Sequence, residues 1–274
     1  MNHLLRNLAP VSAAGWDAID QEATSRLATY LAARKLVDFS GPHGWSHSAT
    51  NLGRISPIAG PSEGVAAAQR RVLPLMELRT QFNVSRVQLD DVERGATDPD
   101  LTDLDEAVRH IALGENVTVF HGHQASGLRG IIESTSHEPI PLDGDMERSP
   151  GGVARAVNVL RQAGIEGPYG LAICPDIYTR VIESTDFGGH LLFDHLREIL
   201  GGPLVWAPGV EGGVVLSLRG GDFQFDCGQD LSIGYAVHDR TDVELFLTES
   251  FTFRVLEEKA AILLSRPAVK DKGR

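Results

Sequence analysis

Apolar residues first recur at helical spacing from Trp16. Trp16, Ile19, Ala23, Leu27, Tyr30 and Leu31 fall mostly three and four apart, which predicts an amphipathic helix over 16–33. Its acids come early (Asp17, Asp20, Glu22) and its bases late (Arg26, Arg34, Lys35), the order that suits the helix dipole. Leu36-Val37-Asp38-Phe39 predicts a short strand, stopped by the turn Gly41-Pro42-His43-Gly44. Leu104, Val108, Ile111 and Val119 mark one face of a second helix, over 102–120, with Thr102 and Asp105 placed as a capping box and Gly114 weakening its middle. Further helices are expected over 153–163, over 176–183, and from the loop 184–190 to Leu200. Strands are expected up to Cys174, over 204–206 and over 214–218. From Val243 to Val255 apolar and polar residues alternate, and only Phe246 and Glu249 break the rhythm. That period of two predicts a long strand.

Residues 46–80 fit neither period. Two arms rich in Ser, Thr, Asn and Arg, interrupted by Pro57 and Pro74, flank a tip at Gly60-Pro61-Ser62-Glu63-Gly64. An isolated two-stranded hairpin is marginal in water. An arm of about a dozen residues, at roughly 3.3 Å each, reaches roughly 40 Å. Such an arm is expected to lean on a neighbour. The whole reads as α+β, with a compact mixed region near 135–225 inserted between the long helix and the long strand.

Composition narrows the function. At 274 residues the chain can bury a sizeable core. A formal charge of −12 with no basic cluster beyond Gln69-Arg70-Arg71 argues against nucleic acid as a partner. No apolar run reaches the roughly 20 residues of a membrane helix. The first ten residues lack a continuous apolar region, so a cytoplasmic location is expected. Two cysteines, Cys174 and Cys227, are too few for a disulfide framework. There is no Gly-x-Ser-x-Gly elbow, no phosphate loop and no His-Glu-x-x-His. His121 and His123 lie two apart without an evident third ligand, so no metal site and no catalytic residue is expected. Asp90-Asp91 and Glu257-Glu258 read as solvated carboxylates. Arg219-Gly220-Gly221-Asp222-Phe223 reads as a tight turn between strands, where paired glycines permit positive φ.

Several segments, in order, resemble the encapsulins, the linocin-type shell proteins of bacteria and archaea. They are Leu5-Arg6-Asn7-Leu8-Ala9-Pro10 with Trp16; Ala32-Ala33-Arg34-Lys35-Leu36-Val37-Asp38; Gly41-Pro42-His43-Gly44-Trp45; Asp91-Val92-Glu93-Arg94-Gly95; Gly164-Ile165-Glu166-Gly167-Pro168-Tyr169; Arg219 to Phe223; Gly228 to Tyr235; and Thr248-Glu249-Ser250-Phe251-Thr252-Phe253. The resemblance implies a Hong Kong phage-type major capsid fold. Residues 1–45 would begin a peripheral domain, 46–80 form an extended loop, 81–134 carry the long helix, 135–225 form an axial domain, and 226–274 return to the peripheral domain and tail. It implies a self-assembling icosahedral shell of about sixty copies in the smallest case. The shell would enclose a cargo enzyme, a dye-decolourising peroxidase or else a ferritin-like protein, docked by its C-terminal peptide. The positions matching the family's docking groove are Leu27, Leu31, Arg34, Asp38, Asp230, Leu231 and Ile233, with Arg34 and Asp38 at its rim. Those matching its five-fold pore loop are Thr185, Asp186, Phe187, Gly188, Gly189 and His190. Where some members carry a flavin on a tryptophan, this chain has Val87, and no cofactor is expected. The alternatives are a bacteriocin or protease-like hydrolase, which lacks a nucleophile motif here, and a phage major capsid protein, for which a basic lumen would be expected.

Overall fold

Ser12 starts the first helix: its hydroxyl accepts from the Gly15 N–H at 3.0 Å. Helix α1 (Ala13–Tyr30) therefore begins a turn earlier than the apolar spacing suggests. It stops at Leu31, which is extended. The computed structural model describes residues 3–142, 149–185, 189 and 191–266. After α1 come the short strand β1 (Asp38–Ser40), the arms β2 (Ala49–Ile58) and β3 (Ala67–Pro74), and β4 (Met76–Ser85). Helices α2 (Arg86–Glu93) and α3 (Thr102–His121) follow. The expected capping box on α3 is not what starts it. Thr102 is already helical, and Asp100 accepts from its N–H (3.1 Å) and its hydroxyl (2.7 Å). Gly114 does not interrupt the helix, which runs on to His121.

A small hairpin, β5 (Gly122–His123) and β6 (Leu128–Arg129), leads through α4 (Ile131–Ser134) to β7 (Ile140–Pro141). Then come α5 (Ser149–Gln162), β8 (Tyr169–Ile173), α6 (Pro175–Glu183), α7 (Leu192–Leu200), β9 (Leu204–Trp206) and β10 (Gly213–Ser217). The last strands are β11 (Phe223–Cys227), β12 (Ser232–His238), β13 (Asp242–Val255) and β14 (Ala261–Ser265).

Two five-stranded sheets organise the molecule. In the first, β13 is the spine: β11 and β12 line one edge, β4 pairs along the other, and β1 joins β11 in parallel. The second runs β7-β14-β10-β8-β9. It takes in β14, from the segment 226–274 expected to return to the peripheral domain and tail. Ala261, Ile262 and Leu264 are buried there, and β14 pairs with β10. One core joins the sheets through Phe225, Phe251 and Phe253 on one side and Leu171, Val215 and Leu264 on the other. A second core lies between α1, α3 and the first sheet, around Ile19, Leu104, Val108, Phe82 and Leu245. Alternation along β13 does not leave one face to solvent. Instead Phe246, Thr248, Ser250 and Thr252 are buried along with Leu245, Leu247, Phe251 and Phe253.

The hairpin β2–β3 stands as a sheet of its own. Its pairing slips between Asn51 and Arg54, where Gly53 adopts φ +64° and donates to Asn51 Oδ1 at 2.8 Å. Ile55, Ile58, Val65 and Val72 remain 48–67% exposed.

Candidate functional site

The end of α1, the turn Ala32–Leu36, the middle of α3 and the loop before β12 converge. Asn116, in the apolar stripe of α3 and fully buried, fastens them. Its Oδ1 accepts from the Ala32 and Ala33 N–H groups at 3.0 and 3.2 Å, and its Nδ2 donates to the Tyr30 and Pro208 carbonyls at 2.9 and 3.2 Å. All of the amide's usual bonds are made. This fixes where Arg34 points.

Arg34 is the hub of the site. Its Nε donates to Glu115 Oε2 at 2.7 Å, Nη1 to Asp230 Oδ1 at 2.6 Å, and Nη2 to Glu249 Oε2 at 2.8 Å. Its guanidinium carbon lies 5.2 Å from the centres of both the Phe39 and Phe225 rings. Glu115 and Glu249 are fully buried, whereas 46% of the Asp230 side chain is exposed. Burial alone would lower the Arg34 pKa, but the carboxylates, Glu115 and Glu249 foremost, drive it up. Burial pushes the Glu115 carboxyl up, and Glu249 further, with Glu115 as a like-charged neighbour. Each leaves its Oε1 without a donor. Both carboxyls are thereby biased toward the protonated form, which spares the interior a second negative charge.

The seven positions expected to form a docking groove therefore divide. Leu27 and Leu231 pack half-buried against the second core, Leu31 is half-buried at the end of α1, and Asp230 is partly exposed. Arg34 is not at a rim but beneath three carboxylates. Ile233 is 4% exposed and belongs to the core, since α1 and the N-terminal segment cover β12. There the Tyr235 N–H donates to the Leu4 carbonyl at 2.8 Å. Asp38 faces away: its Oδ2 accepts from the Gly221 N–H at 2.6 Å and steadies the Arg219–Asp222 turn. Gly220 and Gly221 there take φ +85° and +81°, and Arg219 grips Asp222 at 2.8 and 3.0 Å.

Sequence reasoning missed Asn116 and the roles of Glu115 and Glu249. A signal for each existed: Glu115 and Asn116 interrupt the apolar face of α3, and Glu249 breaks the alternation of β13. Of the pore-loop positions, Thr185 bridges to Leu191 and Gly189 has φ +80°; Asp186, Phe187, Gly188 and His190 lie outside the described residues. Val87 is exposed on α2. The imidazoles of His121 and His123 are committed to the Gly209 carbonyl (3.0 Å) and the Ser126 hydroxyl (2.9 Å). No group of three metal-ligating side chains occurs among the described residues. Both cysteines are buried and free. Burial, then the Asp230 charge, pushes the Cys227 thiol up to about 12, so neither is an activated nucleophile. No described helix is long and apolar enough to cross a membrane.

This arrangement of sheets, long helix and projecting hairpin is the Hong Kong phage-type capsid fold. The virus-like particle protein from Pyrococcus furiosus matches it with a TM-score of 0.63 at 17% identity, over 91% of this chain and 99% of that one. The capsid of an empty GTA particle matches with a TM-score of 0.56 at 14% identity, over 87% and 90%. The chain belongs to the family described as "Encapsulating protein for peroxidase", whose model matches residues 1–252. It is 44% identical over 270 residues to the type 1 encapsulin shell protein of Rhodospirillum rubrum, covering 96% of each chain. It is 39% identical over 265 residues to that of Mycobacterium tuberculosis, covering 97% of this chain and 100% of the relative.

Proposed function

We propose that this chain is the subunit of a closed icosahedral shell that encloses a cargo protein, and that its role is structural rather than catalytic. The observation that carries the reading is the β2–β3 hairpin. It pairs only with itself and keeps its apolar side chains bare, a condition that favours coverage by another copy. Closed symmetry with several neighbours per subunit then gives about sixty copies in the smallest shell. The first cargo expected is a dye-decolourising peroxidase, with a ferritin-like protein second. The family's description, which names a peroxidase, supports that order. The shell is expected in the cytoplasm.

Cargo would dock through a C-terminal tail laid along Leu27, Leu31 and Leu231, with Asp230 as the polar contact at the edge. A tail of micromolar affinity corresponds to about 8 kcal/mol, and an oligomeric cargo with several tails gains by effective concentration. Arg34 and Ile233 support this groove from behind, and Asp38, turned toward Gly221, takes no part in it. The loop 185–190 would line the five-fold opening for small solutes. Negative-stain microscopy and light scattering of the purified chain test the shell: uniform hollow particles are expected, and a folded monomer at micromolar concentration refutes it. Co-expression of a Leu231→Asp variant with a tailed cargo tests the groove. Intact but empty shells are expected, and normal loading rules the groove out.

A further inference from the structure

The hairpin differs in charge from the body that carries it. Between residues 49 and 74 it holds Arg54, Arg70 and Arg71 against Glu63 alone, on a chain of formal charge −12. Arg54 and Arg71 stand directly opposite one another in the β2–β3 register, and Arg70 is next along. Like charges facing across a strand pair destabilise it, in a two-stranded ribbon that has little stability of its own. All three arginines are exposed. None has an ion pair or side-chain hydrogen bond among the described residues, in contrast to Arg6, Arg26, Arg34, Arg219 and Arg266.

The opposite imbalance lies elsewhere on the chain. A surface hollow of about 310 Å³ between α3, β4 and β13 is lined by Asp103, Glu106 and Glu244, with His110 at its side. None of the three carboxylates has a cationic partner among the described residues. A neighbouring hollow is also acidic, but three of its four carboxylates are already engaged. Glu22 and Asp105 pair with Arg26, and Asp100 accepts from Thr102. Arg71 and Gln81, on the wall of the unpaired hollow, are ten residues apart along nearly continuous strand, and nothing joins the two groups within one chain.

We propose that Arg54 and Arg71, which share one face of the hairpin, dock in the hollow lined by Asp103, Glu106 and Glu244 on a second copy of the chain. The inference rests on the shell reading and names the chemistry of one of its contacts. Guanidinium–carboxylate pairing fixes orientation and register as well as attraction. A nucleic acid is the less favoured occupant, because the rest of the chain repels phosphate.

The test measures the particle fraction of the full-length chain by light scattering at about 0.05 M and about 0.5 M salt, where screening lengths differ severalfold. Arg54→Gln with Arg71→Gln touches only exposed side chains. It should lower the particle fraction at low salt at least tenfold and abolish the salt dependence of the unaltered chain. Arg54→Glu with Arg71→Glu should assemble less still. Adding Asp103→Arg and Glu106→Arg should restore particles, with far-UV circular dichroism unchanged throughout. Wild-type assembly and salt response by the glutamine pair overturns the contact, as does failure of the folded four-fold variant to recover. Wild-type particle yield with loss of co-purifying nucleic acid assigns the arginines to a polyanion and equally overturns it. An unaltered chain that forms no particles brings down the shell reading itself.

Discussion

Strand β13 and the β2–β3 hairpin are both extended, paired backbone, yet one is covered on both faces and the other is largely bare on both. In β13 the second face is closed by the molecule's own elements, so Thr248, Ser250 and Thr252 sit inside with the phenylalanines. In the hairpin nothing arrives, and Ile55 and Ile58 stay 67% and 53% exposed. Strand pairing, then, does not specify coverage, which depends on elements distant in sequence or on another molecule. The spine should therefore govern subunit stability, and the hairpin assembly.

Four substitutions sharpen or break that division. Phe225→Ala removes a ring stacked between Phe39 and Phe251 and should cost about 3–5 kcal/mol in guanidinium unfolding. Asn116→Ala deprives two buried N–H groups and two carbonyls of their partner, an expected loss of about 1–3 kcal/mol by the same measurement. Glu249→Gln bears on pH. The folded state holds protons on Glu115 and Glu249 more tightly than the unfolded chain does, since both carboxyls are pushed up. The pair thus favours folding in acid and loses that contribution as pH rises through the folded pKa. With glutamine at 249 the decline in stability above the ordinary carboxylate range should flatten; an unchanged pH profile breaks the reading of raised carboxyls. Ile55→Ser should move subunit stability by no more than about 0.5 kcal/mol while reducing particle yield on size exclusion. A large stability loss there would erase the distinction between spine and arm.

The sequence was most legible where a period ran long. Helix α3 and strand β13 are found within a residue or two of their expected limits, whereas the hairpin begins three residues after and ends six residues before its own. Long-range pairing was not legible. Nothing local says that Ala261–Ser265 crosses back to the second sheet, because any apolar pentapeptide suits either sheet. Around the candidate groove, the apolar character of Leu27 and Leu231 suits their packing against the second core, but a sequence shows neither which side of β12 is covered nor that Asp38 is engaged by Gly221. The Arg34 hub draws its partners from positions 115, 230 and 249, separations at which periodicity carries no information.

The way β4 roots the hairpin has a mechanical consequence. Only Leu75 separates β3 from β4, and β4 pairs with β13 over ten consecutive positions, Met76–Phe251 to Ser85–Asp242. Antiparallel ladder bonds lie across the strand direction, so tension drawn along the arm loads them together in shear and does not peel them one by one. Internal pressure or swelling that strains the arm is therefore borne by the strand most deeply anchored in the subunit, and the tether should outlast the grip at its far end.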